Sequence, residues 1–114
     1  MNREKYIRDL IDKWKPRLGL DDWIINLKIK NSYESTGEHR CEAAISDDLK
    51  YLEADLEIYK PFWKITKEKQ EITIVHELVH LLLCPLHPHY ASAGDDIFEQ
   101  VTQKLAITFF KQIK

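Results

Sequence analysis

Two histidines and a glutamate interrupt the most apolar stretch of this chain. Glu71–Cys84 reads EITIVHELVHLLLC. With Ile72 at zero on a helical wheel, Ile74, Val75, Leu78, Val79, Leu81, Leu82 and Leu83 cover most of the circumference. Thr73, His76, Glu77 and His80 fall in one stripe between about 40° and 140°. A helix buried on most sides does not carry such a stripe without a reason, because unpaired polar groups cost free energy there. The spacing His76-Glu77-x-x-His80 supplies one. Residues i and i+4 stack one turn apart, so both imidazoles can hold one cation from the same side. Glu77 then points beside the cation, where a water to be activated would sit. This is the chemistry of metal-assisted hydrolysis, with Glu77 as general base. The bland alternative is a core helix whose histidines bond to backbone carbonyls. The match of motif to helix character favours ligation.

Two imidazoles do not hold zinc tightly, and a catalytic site typically adds a third protein ligand and an open position. Glu99, His87, His89, Asp95 and Asp96 are the candidates. The last helical stretch favours Glu99. With Ile97 at zero, Val101, Leu105, Phe98, Phe109 and Ile113 span about 0° to 160°, Ala106 lies near 180° and Phe110 near 220°. Gln103, Asp96, Gln100, Lys111 and Lys104 form the polar face, from about 240° to 340°. Glu99 falls near 200°, inside the apolar band, where a carboxylate needs a partner. The competing reading is a glutamate at the edge of the face that reaches water or a lysine. Cys84 shares the polar stripe of the first helix. However, it stands two turns from His76, about 12 Å along the axis, and precedes Pro85. It reads as a structural thiol at the helix end.

The elements that must position these groups follow from pattern. Residues 2–15 read as a first helix, with Asn2 as N-cap and Tyr6, Ile7, Leu10, Ile11 and Trp14 at helical spacing. Pro16 should end or bend it, and Gly19 breaks it. Trp23–Lys30 alternates as a half-buried strand. Residues 39–46 form a weaker one, and Leu52–Tyr59 forms a third with an acidic face of Glu53, Asp55 and Glu57. Short polar connections suggest antiparallel neighbours. Thr66 is the expected N-cap of the motif helix, which ends at Cys84-Pro85. A loop over 85–95 precedes a last helix from about Asp96 to Gln112, with Asp95 as its cap. The expected fold is α+β: an N-terminal helix, a three-stranded, mainly antiparallel sheet, the motif helix and a C-terminal helix.

The chain of 114 residues is sized for one domain, 1–114, around one core. Three glycines and four prolines argue against low complexity. The formal charge of −2, with both signs interspersed, suggests no nucleic-acid or anionic-membrane partner. The charged start MNREKYIRDLIDKW lacks the apolar run of a secretory signal, and no stretch reaches membrane-spanning length, so a cytoplasmic location is expected. Two cysteines, Cys41 and Cys84, are too few for a disulfide framework. His39 reads as a surface histidine. The sequence carries no signal about oligomeric state.

His76-Glu77-x-x-His80, with Glu99 on the following helix, resembles the gluzincin branch of zincin metallopeptidases. The element order is similar to that of minimal single-domain gluzincins and to metallopeptidases of bacteria and their phages. SprT-like and ImmA/IrrE-like zincins are neighbouring families. The resemblance is carried by the second half of the chain. It departs from the family in two places. The usual Asn-Glu-x-x-x-Asp or Asn-Glu-x-x-x-Ala setting is missing, since position 98 is Phe98 and position 103 is Gln103. The spacing H-E-x-x-H-x-x-G-x-x-H of another zincin branch is broken by Leu83 and Leu86, with His87 one residue late.

The resemblance implies one zinc ion on His76, His80 and Glu99, Glu77 as general base, and a peptide or protein substrate. It also implies an extended peptide laid along an edge strand, for which Leu52–Tyr59 is the expected strand. His87, His89, Tyr90 and Tyr59 are unranked candidates to stabilise the tetrahedral intermediate. The alternative function is a zinc-stabilised module that binds a peptide or protein without cutting it. Intact Glu77 favours the enzyme.

Overall fold

The computed structural model describes residues 2–31, 42–86 and 95–113. His39, Cys41, His87, His89 and Tyr90 lie outside the described residues. The fold is α+β. Helix α1 spans Arg3–Arg17, and strands β1, β2 and β3 span Ile24–Ile29, Ala43–Asp48 and Glu53–Ile58. Helix α2 spans Lys67–Leu83 and helix α3 spans Asp95–Ile113. Short 3-10 turns at Lys60–Lys64 and Cys84–Leu86 flank α2.

The side chains at the helix starts and the backbone at one helix end explain the boundaries. The Asn2 side chain accepts the Lys5 N–H at 3.0 Å, and the Thr66 hydroxyl accepts the Lys69 N–H at 3.2 Å, so both expected caps are made. Pro16 does not end α1 but sits inside its last turn. The stop comes at Gly19, whose φ of +72° allows a left-handed closing residue. There the Leu20 N–H reaches back to the Lys15 carbonyl at 2.8 Å, and the Gly19 N–H reaches the Pro16 carbonyl at 3.3 Å. A proline this close to the end removes one helical bond where few remain to be lost. Asp95 is the first residue of α3 rather than a cap before it.

The sheet is mixed, in the order β1-β3-β2. β3 pairs parallel with β1 and antiparallel with β2, so the expected β1–β2 neighbours do not touch. The second strand also begins later than 39–46 and runs to Asp48. Burial explains why β3 takes the centre. Its inward residues Ala54, Leu56 and Ile58 are all buried, whereas Leu27 and Ile29 of β1 and Ile45 of β2 are only partly so. The strand with the most regular apolar face gains most from two neighbours. Charge agrees with this arrangement. On the outer face, Lys28 lies 3.5 Å from Asp55 and Lys30 lies 3.6 Å from Glu57. Such exposed pairs contribute at most about 1 kcal/mol each, so they select the neighbour more than they stabilise it.

α1 and α2 pack on one face of the sheet, and α3 packs on α2. All three helices and all three strands share one core, from Ile7, Ile11 and Trp14 through Leu56, Ile74 and Leu78 to Ala106 and Phe110. Polar bonds fix α1 against α2. The Trp14 indole N–H donates to the Glu71 carboxylate at 2.7 Å, and the Tyr6 hydroxyl donates to Gln70 at 2.8 Å. Gln70 is itself buried and donates to the Phe62 carbonyl at 3.1 Å. A buried indole left without an acceptor would cost about 1–3 kcal/mol, so Glu71 is part of the packing. The motif helix is thereby held from behind, with its polar stripe turned away from α1. No helix among the described residues is long and apolar enough to cross a membrane.

Candidate metal centre

The stripe on α2 meets α3 at three side chains. His76 and His80 stand one turn apart, with ring centroids 5.0 Å apart and planes at 74°. Glu99 reaches both from α3. His76 Nε2 is 3.1 Å from one carboxylate oxygen, and His80 Nε2 is 3.0 Å from the other. Their ligand atoms all lie within 4.8 Å of one another. Among the described residues this is the one group of His, Cys, Asp and Glu side chains able to hold a metal ion. Cys84 is not part of it.

The donor set fits zinc. A tetrahedral zinc with ligand bonds near 2.0–2.1 Å puts its donors roughly 3.4 Å apart. The two imidazole–carboxylate spacings of 3.1 and 3.0 Å are close to that. Neutral imidazole and carboxylate also suit a borderline cation. The histidine side chains are mostly covered, at 18% and 17% exposure, while Glu99 is 54% exposed at the cleft mouth. Phe98, buried, lies against the His80 ring with centroids 5.3 Å apart and limits its tilt.

Gln103 was not recognised as a site residue from the sequence. Its side-chain oxygen sits 2.5 Å from His76 Nδ1, the ring nitrogen that faces away from Glu99. With Nε2 committed to the ligand cluster, Nδ1–H donates and the amide oxygen accepts. Such a bond fixes both ring orientation and tautomer. The signal available in the sequence was the i, i+4 spacing of Glu99 and Gln103, which puts both on one face of α3.

Glu77 is buried at 6% exposure and still lines the cleft beside the two histidines. The cleft has a volume of about 1050 Å³ and is walled by β2, α2 and α3. β2 lies at the edge of the sheet, whereas β3 is paired on both sides. The expectation that Leu52–Tyr59 forms the exposed edge is therefore corrected: the strand that lines the cleft is β2, through Glu42, Ala43, Ala44 and Ile45. Tyr59 is buried and does not line the cleft.

Cys84 stands at the far end of α2. Burial, together with the nearby Asp47 carboxylate, pushes its thiol up to about 11. That agrees with a structural thiol, since the reactive form is the thiolate. Comparison with protein families, with curated proteins and with solved structures finds no match to this chain.

Proposed function

We propose that this protein is a zinc-dependent peptidase of gluzincin type, with His76, His80 and Glu99 as zinc ligands and Glu77 as general base. The observation that carries the reading is the convergence of two imidazole nitrogens and a carboxylate from a second helix, beside a buried glutamate, in a cleft with a sheet edge along one wall. A purely structural zinc site has no use for a carboxylate at the position of Glu77.

When bound, zinc supplies Lewis acidity, which acidifies a water and polarises the scissile carbonyl. Glu77 accepts the proton of the attacking water and returns it to the leaving amine. Burial keeps that carboxylate close to the histidines and away from competing bulk water. Gln103 holds His76 in the tautomer that leaves Nε2 free to ligate. The β2 edge gives an extended peptide backbone a row of hydrogen-bonding partners along the cleft. Peptides and small proteins are the substrates this geometry serves.

Metal analysis of the protein, purified without chelator or an added histidine tag, tests the reading. Wild type should carry close to one zinc, Glu99→Ala should lose most of it, and Glu77→Gln should keep the zinc but cleave nothing. Zinc retained in Glu99→Ala would remove Glu99 from the ligand set. No zinc in wild type, even when zinc is offered, would sink the proposal.

A further inference from the structure

The cleft does not end at the metal-binding cluster. On α2 the residues lining it run Lys69, Ile72, Thr73, His76 and His80, a single stripe at helical spacing. On α3 they run Glu99, Gln103 and Ile107, one per turn in the same direction along the cleft. Past the histidines, toward the start of α2, the walls become aliphatic, with Ile45, Ile72 and Ile107 facing one another. Beyond them stands Lys69, an exposed lysine whose backbone N–H is held by the Thr66 cap. No carboxylate among the described residues pairs with its ammonium, although Glu42 lines the opposite wall.

The direction of a bound peptide follows from a contact outside the cleft. Asp47 of β2 hydrogen-bonds the Cys84 thiol at the end of α2. The start of β2, by contrast, lines the cleft together with the first half of α2. β2 and α2 therefore run the same way. A peptide added antiparallel to β2, the more stable way to extend an edge, runs against α2. Its C-terminal part leaves the histidines and heads for Lys69. The seven residues from Lys69 to His76 rise about 10 Å, which an extended chain covers in about three residues.

We propose that Lys69 is a specificity-determining residue: the cleft takes peptides with an aliphatic side chain just past the scissile bond and a carboxylate two or three residues past it. The carboxylate is either the peptide's free C-terminus or an Asp or Glu side chain. This rests on the peptidase reading for its cleavage test but not for its binding test.

The experiment uses the zinc-loaded protein and three peptides that share one aliphatic core. The first ends two or three residues past the cleavage point in a free carboxylate, the second is its amide, and the third is the amide with glutamate at that place. Wild type should cleave the first or the third about three- to ten-fold faster in kcat/KM than the second, with the advantage shrinking as salt is raised. Which of the two gains identifies the source of the carboxylate. Lys69→Met should level the peptides and Lys69→Glu should reverse their order, while Lys104→Met, a charge control on α3, should keep the preference. Cleavage that ignores the carboxylate, or a preference that survives Lys69→Met, overturns the role of Lys69 and leaves the peptidase reading standing. If nothing is cleaved, affinity for the same peptides decides. Carboxylate-dependent binding lost in Lys69→Met upholds the recognition and removes the peptidase. Binding blind to the carboxylate, or no binding, overturns the recognition.

Discussion

α2 and α3 both deliver side chains to the cleft, yet their faces are set by different means. α2 lies between the sheet, α1 and α3, and its apolar residues leave a single gap. Ile74, Val75, Leu78 and Val79 are fully buried, and the polar stripe has one place left to point. α3 packs on one side only, and several of its faces are apolar enough to serve. The wheel puts Ile97 and Val101 in the core band, but they are 44% and 36% exposed. The buried residues are Phe98, Thr102, Ala106 and Phe110, centred near 160° rather than near 80°. That rotation turns Glu99 out of the core and into the cleft, and brings Gln103 from the polar face onto His76. A helix enclosed by partners has its orientation dictated by composition. A helix on the outside has it chosen by what it docks against.

Substitutions in the two helices sharpen this contrast. The largest effect is expected at Leu78→Ala, which removes a fully buried side chain of α2 and should cost about 2–5 kcal/mol in chemical denaturation. A loss below 1 kcal/mol would mean that α2 is not the enclosed element described above.

Gln103 comes next. Gln103→Met keeps the length but has no strong acceptor for His76 Nδ1–H, and should weaken zinc binding by about 10–100-fold in a chelator competition. Gln103→Glu restores an acceptor and should recover the affinity. Equal affinities in all three proteins would make Gln103 a bystander.

Cys84 gives a pH test away from the site. Its folded value of about 11 lies above the ordinary 9.0, so the folded state holds the proton more tightly than the unfolded chain does. The stability this contributes is fully present below pH 9.0 and is lost as pH rises toward about 11. In a Cys41→Ser background, alkylation of Cys84 near neutral pH should be slower than that of an unstructured thiol and should accelerate on unfolding. Fast alkylation of the folded protein would contradict the burial of Cys84.

The smallest effect is expected on α3. Ile97→Ser, at an exposed position, should change stability by no more than about 0.5 kcal/mol. A large loss there would restore the orientation that the wheel suggests.

The pairing of strands shows the same division between what is local and what is not. Alternation in Trp23–Lys30 and Leu52–Tyr59 locates two strands and their inward faces, because the period of two is a property of the backbone itself. It says nothing about which strand neighbours which. That is decided by the burial each strand gains from the helices above it, and β3 wins the centre. With it goes the identity of the free edge, and so of the strand available to a peptide.

The sequence by itself therefore determined the elements, two helix caps and the triplet His76, Glu77 and His80, all of which follow from rules acting within a few residues. Glu99 was legible as a candidate through chemistry, since two ligands call for a third. The tertiary structure alone decided how Glu99 meets both histidines, that Gln103 backs His76, that β2 forms the cleft wall, and that Lys69 stands at the cleft's far end. These depend on how a helix rotates and which strand lies outermost. Packing energy summed over the whole core sets both, and no local pattern encodes them.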